Sequence, residues 1–551
     1  MRLHGEICNC RYRFNFGSGQ RDGAELRKSN RAVAQFELII GLLLVGVLLA
    51  SVARQLKMPY PVLLAVLGVA LAFAPNVPDL TLDPQLTLAL FVAPVLLDAA
   101  YDASLRDLKD NWRPVAGLAL IAVALTVVSV ALVVRFFLPD IPWPAAVALG
   151  AIVAPPDASA ATAVLRMLRP PHRVLVILEG ESLFNDASAL LIYRAAVGIT
   201  TTGTVVSAIP SLVLAGVASV LAGILLARLY LRVSRRIQEV APAVLIQFLS
   251  VFIVWILAEQ LHLSGIITMV CYAITLARSA LAKLAARLRI PSYAVWEVIV
   301  FVLNILIFIF VGLQLKPLLQ RLNPAEWARY LLIGGTVCGT TILVRIAWVM
   351  SYNTVVRWKN RHFGVHLPPR VTPPTVQGGI MISWCGMRGI VTLAAGLALP
   401  DTFPYRDLLL FTASCVVLGT LILQGLTLRP LMTALSVADD RIVEDEVRLA
   451  RTEITCAALN ILDGQEPSEA TAVLRREYQA RLSDDLKDQQ AGESAMPGLA
   501  SIQRRAIAAE RRALDELRSR GDIGDEAFHQ IEEELDWAQV HAERDSPSVR
   551  E

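Results

Sequence analysis

The chain has 551 residues, of which 55% are hydrophobic and 18% charged, and its mean hydropathy is +0.54. This composition is far more apolar than that of an average soluble domain, so the sequence predicts a polytopic membrane protein. The net charge of +3 is small and the basic residues lie between hydrophobic segments, which argues against a nucleic-acid partner. The seven cysteines lie mostly inside apolar segments and have no metal-ligand spacing.

Thirteen hydrophobic segments follow a polar N-terminal tail, residues 1–35, which has no apolar h-region directly after its first charges. Because about 20 apolar helical residues cross a bilayer, we predict an all-α membrane domain over residues 36–435 with about 13 transmembrane helices. The expected segments are about 36–53, 61–75, 86–103, 115–138, 143–168, 174–199, 206–231, 240–261, 264–278, 293–315, 329–353, 375–399 and 407–433.

The basic residues between the segments predict the orientation in a cell membrane. Odd-numbered connections are basic, for example Arg106, Lys109 and Arg113 in the third, whereas the even-numbered ones carry almost no lysine or arginine. Because positive residues favour the cytoplasmic side, the odd-numbered connections and the C-terminus are expected in the cytoplasm. The N-terminus would then lie outside, but seven basic residues precede the first segment, so its side stays open.

Segment five contains a break signal in the middle of the membrane. Pro155 and Pro156 directly precede Asp157, and two prolines remove two backbone donors and disfavour α geometry before them. Irregular backbone at this depth is tolerated only where it is buried in protein or lines a cavity. We therefore predict an interrupted helix with Asp157 beside the break. The alternative is a simple proline kink with a structurally bonded aspartate.

Segment six combines an apolar stretch, residues 174–193, with central polar side chains: Glu179, Glu181, Asn185 and Asp186. A mid-membrane carboxylate costs roughly 2.5–3.5 kcal/mol, so this helix must be sheltered inside a bundle. Helical spacing places Glu181 and Asn185 on one face, and Ser182 and Asp186 on the adjoining face. This oxygen-rich strip suits a dehydrated cation or a proton. The alternative is that the carboxylates are structural and paired with a neighbouring arginine.

Segment twelve is the second anomaly, because glycines surround an intramembrane arginine, Arg388. Glycine permits unwinding or close approach of the backbone. If the segments divide as six, one linker and six, the broken segments five and twelve each fall fifth in their half. This pattern is expected of inverted repeats in secondary transporters, whose site lies where interrupted helices meet. Arg388 would then either pair with Glu181 or compensate the C-terminal dipoles of half-helices.

Other polar residues inside the segments are interpreted mainly as structural pairs or snorkelling groups: Asp98, Glu259, Glu297, Asn304 and Arg345. Of these, Asp98 and Arg345 stay open as contributors to transport. Hydropathy falls at residue 436, and the charged residues 436–551 are predicted to form a helical cytoplasmic tail. The tail has no glycine-rich strand-to-helix turn and no P-loop, so neither a nucleotide nor another cofactor is expected.

Several segments together resemble one known family. The run LEGESLFNDASAL, residues 178–190, is similar to the membrane motif of the monovalent cation:proton antiporter-1 family, the bacterial and eukaryotic sodium/proton exchangers. Other runs resemble family segments in family order: MPYPVLLAVLGVAL, LFVAPVLLDAAYDASL, LHLSGIITMV, FVLNILIFIFVGLQL, SWCGMRGIVTLAAGLALP and LILQGLTLRPL. The ordered set covers roughly residues 36–433 and is specific, whereas any single run would be weak.

The resemblance implies roles for individual residues. The implied ion-binding set for Na⁺ is Asp186, Asp157, Asn185 and Ser182. Asp186 would alternately hold the cation and the proton, while Glu181 would form a structural ion pair with Arg388. Antiporters of this fold are usually dimers, so the resemblance also implies a homodimer.

One departure from the family pattern concerns the break in segment five. Many relatives have Thr-Asp-Pro where this chain has Pro156-Asp157-Ala158, so a threonine is missing and Ser159 is an open replacement. Ion preference is therefore open. The family pattern of Asn185, where electrogenic relatives have aspartate, implies a single carboxylate and the exchange of one cation for one proton.

A single buried carboxylate gives such an exchange a physical basis, because burial disfavours its charged form and proton and sodium then compete for one site. We therefore predict a sodium/proton antiporter, with lithium or potassium as further cations, that serves pH and sodium homeostasis and is not an enzyme. The closest alternative is a potassium/proton antiporter. More distant ones are a sodium-coupled organic-anion symporter on a similar scaffold and a sensor whose spans relay a signal to the tail.

Overall fold

The described part of the chain is helical. The computed structural model describes residues 19–56, 58–75, 84–103, 105–157, 161–162, 165, 170–202, 208–237, 239–280, 286–321, 326–363 and 373–435, together with 459 and 479. All regular elements in these ranges are helices. The first helix begins at Gly19, inside the predicted polar N-terminal tail. The predicted C-terminal tail, apart from residues 459 and 479, lies outside the described residues.

The helices of the described residues are numbered in chain order. They are α1 Gly19–Gln55, α2 Tyr60–Ala72, α3 Pro84–Thr87 continuing as π-helical Leu88–Val92 and α-helical Ala93–Asp102, α4 Leu105–Asp110, α5 Trp112–Ala116 continuing as π-helical Gly117–Ala122 and α-helical Val123–Phe137, α6 Trp143–Val153, α7 His172–Thr202, α8 Ala208–Ser234, α9 Val240–Gln260, α10 Gly265–Ala280, α11 Ala286–Leu313, α12 Leu315–Arg321, α13 Trp327–Phe363, α14 Val376–Trp384, α15 Ile390–Leu397 and α16 Arg406–Leu435.

Each of the thirteen predicted hydrophobic segments overlaps a helix of this set, which confirms an all-α membrane fold. In the described residues, seven stretches are long and apolar enough to cross a bilayer: Phe36–Gln55, Trp112–Phe137, Leu214–Ser234, Val240–Gln260, Ala294–Gln320, Trp327–Phe363 and Arg406–Leu435. Shorter apolar helices are Tyr60–Ala72, Leu88–Tyr101, Trp143–Val153 and Gly265–Ala277. The count of thirteen transmembrane helices and the inverted repeats stay predictions.

Both predicted interruptions are present. Helix α6 ends at Val153, and residues 155–157 are not helical, because prolines there cannot continue the hydrogen-bond ladder. Helix α14 ends at Trp384, residues 385–389 are not helical, and α15 begins at Ile390. The break in segment twelve separates two short helices, α14 and α15, and backbone groups at helix ends such as these have no partner within a helix.

Small residues allow the broken helices and their neighbours to pack closely. Helix α6 is buried from Ala148 to Val153, and a Cβ on its Gly150 would collide with the backbone of Val127 in α5. Likewise, a Cβ on Gly68 of α2 would collide with the carbonyl oxygen of Ile309 in α11. Close backbone approach through small residues is how membrane helices associate. It fixes α11 and α6 next to the site described below.

Candidate functional site

The two interrupted segments meet directly. The backbone N–H of Asp157 donates a hydrogen bond to the carbonyl oxygen of Met387, with an N–O distance of 2.6 Å. Helix α7 joins the same point, because Asn185 Nδ2 donates to the carbonyl oxygen of Pro156 at 3.1 Å. Backbone groups released by the breaks are thus bonded to another break or to a buried amide, as they must be inside a membrane. This meeting point is called the crossing below.

Gly389 leaves room for the Asp157 carboxylate at the crossing. A Cβ at position 389 would overlap the Asp157 carboxyl group. The φ angle of Gly389 is −131°, which any residue adopts, so the requirement for glycine is one of space and not of backbone conformation. The sequence pointed to glycine-dependent close approach in this segment, and the structure identifies the group that approaches as a carboxylate.

A cavity of about 610 Å³ lies at the crossing. Its polar lining from the crossing and α7 comprises Asp157, Glu179, Ser182 and Asp186. Glu179, Ser182, Leu183 and Asp186 all line it, which is the i, i+3, i+4, i+7 spacing of one helical face. The predicted division of α7 into two faces is therefore confirmed, since Glu181 and Asn185 do not line the cavity.

The cavity connects a buried carboxylate to the surface. Asp186 is buried, with 7% of its surface exposed, whereas Arg54 at the end of α1 also lines the cavity and is exposed. Within the described residues Asp186 forms no ion pair, and another acid, Asp157, lines the same cavity. In the described part of the chain, four carboxyl groups line the cavity, those of Asp98, Asp157, Glu179 and Asp186, against the single basic side chain of Arg54, which favours a cation there. The cavity is further lined by the polar side chains of Asp98, Thr162, Asn304 and Thr392.

Asn185 occupies a different position from the other predicted ion-binding residues. It is fully buried behind the cavity wall, its Nδ2 is bonded to Pro156, and its Oδ1 has no hydrogen-bond partner among the described residues. Asp157, Ser182 and Asp186 thus share one cavity, whereas Asn185 contacts the backbone that carries Asp157. Ser159, the open replacement for the missing threonine, lies outside the described residues.

The predicted ion pair between Glu181 and Arg388 is wrong. Glu181 instead forms a bidentate pair with Arg345 of α13: Arg345 Nη1 donates to Oε1, and Nη2 donates to Oε2 at 2.8 Å. Arg345 Nη2 also donates to the carbonyl oxygen of Ile382, in the last turn of α14, at 2.9 Å. Both partners are almost fully buried, and a buried charge of this kind requires a paired and hydrogen-bonded counter-charge.

Arg388 binds backbone carbonyl groups instead. This matches the other predicted role, in which Arg388 compensates the C-terminal dipoles of half-helices. Its Nε donates to the carbonyl oxygen of Val153, the last residue of α6, at 3.1 Å, and its Nη1 donates to the carbonyl oxygen of Gly386. Its own N–H donates to Thr420 Oγ1 of α16 at 3.1 Å. The guanidinium therefore lies at the negative end of a half-helix dipole, where a cation is stabilised.

Comparison with known proteins identifies the family of the chain. Residues 39–434 match the family described as sodium/hydrogen exchanger, transmembrane. The chain belongs to the sodium/hydrogen exchanger family. It is therefore a multi-pass membrane transporter and not an enzyme, as the sequence predicted.

Individual relatives cover most of the transporter. An antiporter of Bacillus subtilis, named for sodium, potassium, lithium and rubidium/H⁺ exchange, is 28% identical over 91% of this chain and 78% of its own length. A Na⁺/H⁺ antiporter of Aphanothece halophytica is 27% identical over 76% of this chain and 77% of its own. The solved sodium proton antiporter of Methanocaldococcus jannaschii superposes with a TM-score of 0.56 at 19% identity, covering 73% of this chain and 99% of that one. This last similarity concerns the fold alone.

The roles of two residues near the site were not predicted from the sequence. The sequence leaves Arg345 open between a structural pair, a snorkelling group and a contributor to transport, although a single arginine near the middle of an apolar helix signals a buried partner. Thr392 was not singled out, and it lines the cavity with Asp157 and Asp186. No pattern in the sequence marks Thr392, because an isolated threonine in an apolar helix normally bonds its own backbone.

Proposed function

We propose that the transporter exchanges sodium for protons, with Asp186 holding either the cation or the proton. The observation that carries the proposal is that Asp186 is buried, forms no ion pair within the described residues and shares a cavity with Asp157. A carboxylate in this setting needs a proton or a cation, because an isolated buried charge is strongly disfavoured. Proton and sodium therefore compete for one group.

Strict exchange follows from this competition. When Asp186 is empty and charged, moving it through an apolar barrier costs several kcal/mol, roughly the penalty for any uncompensated intramembrane charge. The two loaded forms avoid this cost, so they reorient and the empty form does not. One cation is then exchanged for one proton, and the existing ion gradient drives the cycle without a cofactor.

The proposed cation ligands are oxygens at the crossing. Asp186 and Asp157 supply carboxylate oxygens and Ser182 a hydroxyl oxygen, all from the lining of one cavity. Hard monovalent cations prefer such oxygens once their water is removed. Asn185 acts here by holding Pro156, and hence Asp157, in position through its Nδ2 hydrogen bond. Its role as a direct ligand stays a prediction.

Potassium is the second candidate cation, and lithium a third. The observation that favours potassium is the name of the Bacillus subtilis relative, which includes potassium and rubidium beside sodium and lithium. An organic anion is disfavoured as cargo, because Asp157 and Asp186 would repel it in the same cavity.

We also propose the setting in which the exchange operates. Family resemblance supports a homodimer, and the basic odd-numbered connections support a cytoplasmic C-terminus in a plasma or inner membrane. Exchange of sodium for protons in this membrane would serve pH and sodium homeostasis.

The deciding experiment measures cation-dependent proton movement in proteoliposomes containing the purified chain, with sodium, potassium and lithium added separately. D186N is expected to reduce movement with every cation to the level of empty liposomes, because the amide cannot take up the transported proton. D401N is the matched control, since Asp401 is 96% exposed and lies outside the cavity. Its exchange should equal that of the unchanged chain.

A second measurement tests the competition itself. In the unchanged chain, the KM for sodium should rise as the pH falls on the side of sodium addition, because protons then occupy Asp186 more often. Exchange by folded D186N, or a sodium KM that does not vary with pH, would contradict the proposed function. A response to potassium and not to sodium would select the second candidate cation.

A further inference from the structure

Thr392 carries a buried hydroxyl that the bonding of the protein does not use. It lies in the first turn of α15, only 1% of its surface is exposed, and it lines the cavity with Asp157 and Asp186. Its Oγ1 has no hydrogen-bond partner among the described residues. An unsatisfied buried hydroxyl normally costs about 1–3 kcal/mol, and where the hydroxyl also lines a cavity, a ligand in that cavity can offset the cost.

The break in segment twelve places this hydroxyl next to a helix start, unlike most buried hydroxyls of the long helices. Thr126, Ser414 and Thr420 lie inside long helices, and each donates to the carbonyl oxygen four residues earlier, at 2.7–3.0 Å. For Thr392 the corresponding residue is Arg388, which precedes the helix, because α15 begins at Ile390. The interruption therefore places the usual backbone acceptor outside the helix, and because Thr392 also lines the cavity, both the donor and the lone pairs of its Oγ1 are available there.

We propose that Thr392 Oγ1 is a coordinating oxygen for the transported cation and sets its selectivity. This inference rests on the proposed exchange function and adds a ligand from α15 to those from α7 and the Asp157 break. The hydroxyl offers lone pairs from the same wall as Gly389, whose missing Cβ brings the Asp157 carboxylate against this segment. The site then takes oxygens from both interrupted segments.

A second neutral oxygen, beside that of Ser182, affects cations unequally. Small cations hold their water more tightly than large ones, so they depend more on protein oxygens that replace the hydration shell. Losing the hydroxyl should therefore weaken the binding of lithium and sodium more than the binding of potassium. A purely structural threonine would produce no such order.

The test compares T392V, T392S and T412V with the unchanged chain in proteoliposomes. Valine keeps the shape and removes the oxygen, whereas serine keeps the oxygen. Thr412 is the matched control, because it is also buried with an unpartnered Oγ1 in the described structure but does not line the cavity. The KM is measured for lithium, sodium and potassium at one fixed pH.

T392V should raise the KM for sodium about tenfold, the change expected when one hydrogen-bond-strength contact to a charged group is lost. The rise should be largest for lithium and smallest for potassium. T392S should restore the original values, and T412V should match the unchanged chain for all three cations.

Thermal melting separates this role from a structural one. Without cations, T392V should melt no lower than the unchanged chain, because an unsatisfied hydroxyl has been removed. The stabilisation produced by added sodium should be smaller for T392V, because binding is weaker. T412V should keep the full sodium-dependent stabilisation.

Two results would overturn the inference. They are unchanged KM values in T392V, or an equal change for the three cations that serine does not reverse. Failure of the proposed function looks different, because then the unchanged chain shows no cation-dependent proton movement, or D186N retains it.

Discussion

Glu181 and Asp186 lie on the same helix, α7, little more than one turn apart, but their surroundings are opposite. Glu181 is 1% exposed and both of its oxygens accept hydrogen bonds from Arg345. Asp186 is also buried, but it faces a cavity that the acidic Asp157 also lines. One carboxylate is neutralised by the protein, whereas the other has no ion-pair partner among the described residues.

This difference shows how one membrane helix can hold two carboxylates with different roles. A bidentate arginine fixes a charge permanently, and removing either partner leaves an uncompensated charge. A carboxylate without such a partner remains free to exchange its proton for a cation. The variants below test whether the pair is structural and whether the two sites are independent.

The largest effect on stability is expected for E181A. Arg345 would keep its charge in a buried position with only the Ile382 carbonyl as partner, so unfolding should become easier by about 3–5 kcal/mol. The measurement is the apparent melting temperature and the yield of monodisperse protein in detergent.

The double variant E181L/R345L is the control for this prediction. It removes both charges, and a buried ion pair replaced by apolar residues is often neutral in stability. The double variant should therefore be more stable than E181A. A normal melting temperature for E181A would show that the pair is not structural, and the contrast with Asp186 would be lost.

An intermediate effect is expected for R388A. The carbonyl oxygens of Val153 and Gly386 lose their charged donor, which should destabilise the fold by about 2 kcal/mol. The crossing should also become less rigid. The exchange rate should therefore fall at least as much as the amount of folded protein falls. R388K is the conservative comparison and should recover part of the melting temperature, because lysine keeps the charge but not the planar fork. Unaltered melting of R388A would contradict its role at the end of α6.

The smallest effect on stability is expected for R194A, which removes a partly exposed ion pair and is compared with the buried pair of Glu181 and Arg345. Arg194 Nη2 donates to Glu259 Oε1 at 3.1 Å, but both side chains are about a third exposed or more. Partly exposed pairs contribute below about 1 kcal/mol, so R194A should shift the melting temperature only slightly. A loss as large as that of E181A would show that burial is not what distinguishes Glu181.

The sequence by itself determined the membrane class, the helical segments and the positions of both breaks, because these depend on local composition. Pro155 and Pro156 together remove two consecutive backbone donors and so favour a break in the helix that contains them, and the 3.6-residue period of α7 separates Glu181 from Ser182 and Asp186 without any knowledge of its neighbours. For the same reason the strip of polar residues that now lines the cavity could be predicted.

Only the tertiary structure decided which side chains meet across segments. Arg345 and Arg388 are both arginines inside apolar stretches, and the helical period says nothing about the depth and rotation of one helix relative to another. Glu181 pairs with Arg345 because α13 presents it at that level, while Arg388 is turned towards the ends of half-helices. The free hydroxyl of Thr392 was equally hidden, since it arises from the exact start of α15 and from a cavity formed by several distant segments.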